Sequence, residues 1–173
     1  MEFLLRELSP TTGIIAEGLI GFIRTFINQM NLMIKKIWAY PLIIQDCSNS
    51  ETEGSDLDYE FPLIVGNKTN IVSDIKLGST GMLEIINLAF KVVAMKYLGL
   101  SESPLYLDEF GKTLDKEHIS LATATIKSLM GLNPFTQLFF VSHHDVSYGS
   151  FNNAEVCVLD SRNVTVPSVY NEH

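Results

Sequence analysis

Apolar residues recur near the start of the chain with a helical step. Ile15, Leu19, Phe22, Phe26, Met30, Met33 and Ile37 lie four, three, four, four, three and four positions apart. That spacing keeps side chains on one face of a 3.6-residue turn. Thr11 or Thr12 can cap the start, and Pro41 forbids helix past Tyr40. A helix of roughly 25 residues is predicted, about twice the mean globular length. Such length suits a helix that extends out of a domain, a plain core helix being the alternative. Two β-like runs follow, at 41–45 and 59–65. The stretch between them carries Asp46, Glu51, Glu53, Asp56 and Asp58 without a basic residue, which reads as a solvated hairpin loop, with an acidic partner-binding loop as the alternative.

The second half alternates differently. A helix is predicted over 80–98, with Leu83, Ile86, Phe90, Val93 and Tyr97 as its apolar stripe and Gly99 as its stop. Pro104 to Leu107 is a short apolar strand that runs straight into Asp108 and Glu109. A third helix is expected over 116–130, capped by Asp115 and ended by Gly131. Leu138 to Val141 forms a fully apolar strand that ends on Ser142, His143 and His144, and 155–159 forms a last one. The tail from Arg162 has no clear element. Apolar strands separated by helices predict an α/β fold whose sheet is largely parallel in this half and covered on both faces.

Composition narrows the picture. The 173 residues are 46% hydrophobic and 18% charged, enough material for one core and too few charges for a disordered chain. Twelve Lys and Arg against 20 Asp and Glu give a net charge of −8, which opposes a whole-surface grip on nucleic acid. Cys47 and Cys157 cannot build a disulfide framework and read as buried thiols of a reducing compartment. The start lacks the order of a signal peptide, and no apolar run reaches about 18 residues. The expectation is a soluble cytoplasmic protein with no membrane contact.

Candidate chemistry gathers at strand ends, where ligands sit in such sheets. A carboxylate in the place of Asp108 can hold hydrated Mg²⁺, and its neighbour Glu109 can orient and deprotonate a water. His143, after the next strand, can donate to a phosphate oxygen or ligate a metal. Ser79-Thr80-Gly81 opens a helix, leaving backbone N–H groups and the positive dipole end for an anion, though an ordinary cap has the same look. Gly111-Lys112-Thr113 imitates the end of a P-loop, but Tyr106 stands where the first glycine belongs.

In this order the set resembles the ABC-type ATPase head, and more narrowly the SMC and SbcC-like ATPases of DNA recombination and repair. Ser79-x-Gly81 corresponds to the signature motif, Asp108-Glu109 to Walker B, Leu114-Asp115 to the D-loop and Ser142-His143 to the switch histidine. The resemblance covers roughly residues 10–160. It implies the C-terminal half of a P-loop NTPase head, with 1–40 as the long helix at the coiled-coil root and 41–173 as the C-terminal lobe with its β-hairpin. It implies ATP and Mg²⁺ as cofactors. Asp108 would position Mg²⁺ through water, Glu109 would be the general base and His143 would contact the γ-phosphate. Ser79 and Gly81 would contact ATP bound to a second head, and Asp115 would lie at that dimer interface.

The sequence also departs from the pattern. Thr80 and Met82 replace the second and fourth signature residues, and Phe110-Gly111-Lys112-Thr113 replaces the usual opening of the D-loop. His144 stands where an acid is frequent, with Asp145 next to it. Walker A and the Q-loop lobe are missing, so the chain alone is expected to be inactive. The implied partners are an N-terminal Walker A lobe, a second head, a nuclease subunit and double-stranded DNA reached through the full complex. Two other readings are a metal-dependent phosphohydrolase or nuclease, using Asp108, Glu109, His143, His144 and Asp145, and a non-catalytic coiled-coil interaction domain.

Overall fold

The computed structural model describes residues 14–49, 59–66, 70–132, 135–142, 149, 151, 154–157 and 168–169. The chain divides into two compact units, Met1–Leu98 and Gly99–His173.

The first unit is built on helix α1, Ile14–Ile37. Its C-terminal half follows the predicted stripe: Met30, Met33 and Ile37 are buried, joined by Ile27 and Ile34. Its N-terminal half does not, since Phe22 remains 50% exposed and Leu19 40%. Strand β1, Leu42–Ile44, follows after Pro41. Two short strands, β2 at Ser48–Asn49 and β3 at Tyr59–Glu60, pair antiparallel. Strand β4, Leu63–Val65, pairs antiparallel with β1 in the register Leu42↔Val65, and β5, Ile71–Val72, adds a third strand to this sheet. The hairpin is therefore longer than the two apolar runs alone suggest, while most of the acidic stretch, residues 50–58, lies outside the described residues. Asp46 finds a cation from another element: Arg24 of α1 donates to its carboxylate at 2.9 Å, with both side chains exposed.

Among the described residues the sheet order β1-β4-β5 leaves one edge of β1 without a strand. Asn31 fills part of that edge. Its side-chain amide donates to the Ile44 carbonyl at 2.8 Å, and its oxygen accepts the Ile44 N–H at 2.9 Å. A helix side chain thus supplies the donor and acceptor that a neighbouring strand would offer.

After one 3₁₀ turn at Ile75–Leu77 comes helix α2, Thr80–Tyr97. Ile85, Leu88, Ala89 and Val92 are buried together with the expected Ile86 and Val93. The expected Phe90 and Tyr97 sit at the margin of that face, half exposed, where they meet α1. Phe26 lies 5.5 Å from both rings, and Phe22 meets Tyr97 edge-on at 5.4 Å.

In the second unit, strand β6, Leu105–Leu107, is joined to β7, Leu138–Phe140, by helix α3, Lys116–Met130. The two strands pair parallel, Tyr106 opposite Phe139. This strand–helix–strand order with parallel pairing agrees with the sequence pattern. Covering is one-sided among the described residues. Leu105 and Leu107 are buried, whereas Tyr106 (59% exposed) and Phe139 (41%) stack on the other face, 4.7 Å apart and nearly coplanar. Strand β8, Glu155–Val156, pairs antiparallel with β9, Ser168–Val169, in the tail where no element was expected. Neither cysteine is a buried thiol: Cys47 is half-buried and Cys157 exposed. A two-residue strand with one inward position leaves its neighbour facing outward.

Among the described residues no helix is long and apolar enough to cross a membrane. The architecture is mixed α/β, with three α-helices, one parallel strand pair and several antiparallel pairs among the described residues.

Candidate functional site

The acidic pair sits where β6 ends. Leu107 is the last strand residue, and its carbonyl accepts the Val141 N–H at 2.8 Å, so the ends of β6 and β7 are held together. Asp108 is exposed at that end. At Glu109 the backbone turns into the left-handed region, with φ of 48°, the only such non-glycine among the described residues. That conformation is uncommon for a residue with a Cβ and costs on the order of 1 kcal/mol or more, so the surrounding turn must hold it. The Lys112 N–H donates to the Glu109 carbonyl at 3.3 Å, and Gly111 takes φ of 90°, where a side chain would be strained. Phe110 is buried and meets the Phe140 ring edge-on at 5.8 Å, anchoring the turn beneath β7.

Side chains reinforce the turn. Lys112 donates to a Glu109 carboxylate oxygen at 2.8 Å, both groups being well exposed. That hydrogen bond first, and the charge attraction second, hold the Lys112 ammonium above its usual range. Leu114 buries itself after the turn, and Asp115 caps α3. One Asp115 oxygen accepts both the His118 backbone N–H, at 2.9 Å, and a contact from the His118 ring nitrogen Nδ1, at 2.8 Å. The backbone bond is the main reason that the carboxyl lies below its ordinary range, followed by the ring contact. His118 is buried although Asp115 is exposed. No sequence signal singled it out; only its place three residues after an N-cap could have suggested it.

The strand that leads to the expected switch histidine returns to the same turn. Ser142, just beyond β7, donates from its hydroxyl to the Phe110 carbonyl at 3.4 Å. The structure therefore brings the Asp108-Glu109 turn, the Asp115 cap and Ser142 into one end of the second unit. His143, His144 and Asp145 lie outside the described residues.

Ser79 and Gly81 belong to the first unit, at the start of α2. Ser79 is the N-cap, its hydroxyl accepting the Met82 N–H at 3.4 Å, and Gly81 is buried in the first turn. Gly78 brings the chain in at close quarters: a Cβ there would meet the Ile75 carbonyl oxygen at 3.1 Å and Leu63 at 3.3 Å. The free N–H groups of a helix start favour an anion, and the acid-free first turn of α2 places no opposing carboxylate there.

Carboxylates are the hard oxygen donors that Mg²⁺ prefers. Asp108 fits such an ion as one member of its shell, with phosphate and water needed for the rest, while the Glu109 carboxylate is engaged by Lys112. Among the described residues no three His, Cys, Asp or Glu side chains gather into a metal-binding group.

Solved structures place the fold in a class. The chain resembles a protein from work on ATP-driven dimerisation and DNA-stimulated activation of SMC ATPases, with a TM-score of 0.62 at 15% identity over 88% of both chains. It also resembles the Smc head domain with an extended coiled coil, bound to the C-terminal domain of ScpA, from Pyrococcus furiosus. There the TM-score is 0.57 at 15% identity, over 75% of this chain and 31% of that one, so the chain spans about a third of that protein. No family model and no curated protein matches the sequence. The chain thus has a fold similar to SMC ATPase head domains.

Proposed function

We propose that the chain is the C-terminal lobe of an SMC/SbcC-like ATPase head that uses ATP binding and hydrolysis to drive head engagement in DNA recombination or repair. The observation that carries this reading is the turn after β6. There Asp108 and Glu109 follow a buried strand, Asp115 caps the next helix, and Ser142 returns to the same turn, in a fold similar to SMC heads. The order of Ser79, Gly81, Asp108, Glu109, Asp115 and His143 along the chain supports it independently.

In this reading residues 1–40 form the coiled-coil root and 41–173 the lobe. Mg²⁺, when bound, would neutralise phosphate charge. Asp108 would hold it through water. Glu109 would take a proton from the attacking water as its oxygen bonds the γ-phosphorus, the bond to the bridging oxygen breaks and ADP leaves with that electron pair. Ser79, Gly81 and Asp115 would complete the site of a second head, and His143 would contact the γ-phosphate. The phosphate cradle would come from an N-terminal Walker A lobe, so the chain alone hydrolyses no ATP. A nuclease subunit and double-stranded DNA would be met through the full complex.

The test supplies the Walker A lobe from the same source. ATP binding and hydrolysis should be absent from the chain alone and appear in the mixture. Glu109→Gln should then slow hydrolysis by about 10²-fold or more and trap an ATP-bound dimer. Hydrolysis at the unmutated rate would remove Glu109 from its role.

A further inference from the structure

Lys112 belongs to a motif, Gly111-Lys112-Thr113, for which the reading above has no use. Its position is unusual all the same. The ammonium lies 2.8 Å from the carboxylate of Glu109, across a turn that holds Glu109 at φ of 48° and is closed a second time by the Lys112 N–H. An acid that is to accept a proton from water must offer that oxygen to the water. Here an oxygen of the candidate base already accepts from a lysine. The buried Phe110 fixes the backbone turn between the two residues and so keeps their Cα atoms within reach of each other, while both side chains remain exposed.

We infer that Lys112 is a positioning residue that clamps Glu109 in its resting state and sets the rate at which the base is released to activate water. The inference rests on the ATPase reading. The pair acts as a brake: hydrolysis waits for the Lys112 ammonium to let go, and the ATP-bound state lasts longer. Both side chains are exposed, so the brake is weak, as an exposed ion pair must be.

Two measurements test it. In the whole chain, the Lys112 ammonium is titrated by NMR at its Cε and Nζ. It should titrate above the ordinary lysine value, and Glu109→Gln should return it toward that value, as its raised position requires. An identical titration in both proteins overturns the clamp without touching the ATPase reading. In the head reconstituted with its Walker A lobe, Lys112→Met should hydrolyse ATP about two- to fivefold faster, the range open to an exposed pair. Lys112→Arg should keep the original rate. In a Glu109→Gln background, Lys112→Met should leave the lifetime of the ATP-trapped dimer unchanged, because no base remains to release. Slower hydrolysis by Lys112→Met would show the lysine assisting the reaction and overturns the brake. Full-rate hydrolysis by Glu109→Gln removes Glu109 as the base, and the inference with it, whereas no hydrolysis at all by the reconstituted head overturns the ATPase reading.

Discussion

Asn31 offers the sharpest test of how the first unit is held together. Its side chain makes two hydrogen bonds with Ile44, one donated at 2.8 Å and one accepted at 2.9 Å, in part-buried surroundings. Each such bond contributes about 0.5–1.5 kcal/mol net, so Asn31→Ala should cost about 1–3 kcal/mol. The upper part of that range applies if the two Ile44 groups stay dry once Asn31 is gone. Asn31→Asp keeps the acceptor but sets a carboxylate against the Ile44 carbonyl, so at neutral pH it should be at least as damaging. Its deficit should shrink as the pH falls, because the protonated acid can again donate. Urea unfolding followed by the fluorescence of Trp38, the only tryptophan, at the end of α1, reads the unit that contains Asn31. A loss below about 0.5 kcal/mol for Asn31→Ala would refute the claim that this side chain stands in for a strand.

Other perturbations have directions fixed by the same geometry. Leu63→Ala removes a side chain with no exposure and should cost about 2–5 kcal/mol, whereas Leu132→Ala, at 74% exposure, should stay within about 0.5 kcal/mol, both by urea unfolding. Gly78→Ala forces a Cβ toward the Ile75 carbonyl and Leu63, and should destabilise by about 1–3 kcal/mol. Gly18→Ala, in a helix with nothing within 4 Å, should stabilise by up to about 1 kcal/mol. The Asp115 carboxyl lies below its ordinary 3.8, so its share of stability is present above that value and lost only as the pH falls through its lower native value. Asp115→Asn should flatten that acid limb of the stability curve, and an unchanged limb would contradict the capping bond.

What was readable along the chain was local. The Asp115 cap, the Gly131 stop and the whole of α3 depend on residues a few positions apart, so propensity and capping set them without help from the rest of the fold. The strand that delivers Asp108 and Glu109 was legible for the same reason: an apolar run followed by acids marks where burial must end. The alternation of strand, helix and strand also carried the parallel pairing of β6 with β7. Sequence order alone aligned the motifs with the SMC head pattern, and the fold agrees with that class.

Tertiary structure decided what depends on distant partners. A period of three and four predicts a helix face but not what covers it, so the stripe of α1 is buried from Ile27 onward and only half covered at Phe22. The β1 edge is completed by Asn31, 13 residues away, and no periodicity announces a hydrogen bond from a helix to a strand edge. The Glu109–Lys112 pair is close in sequence but exists because Phe110 and Gly111 bend the backbone between them. Local patterns fix elements through short-range sterics and capping. Pairing, covering and the orientation of a carboxylate come from contacts that close only when the chain has folded around them.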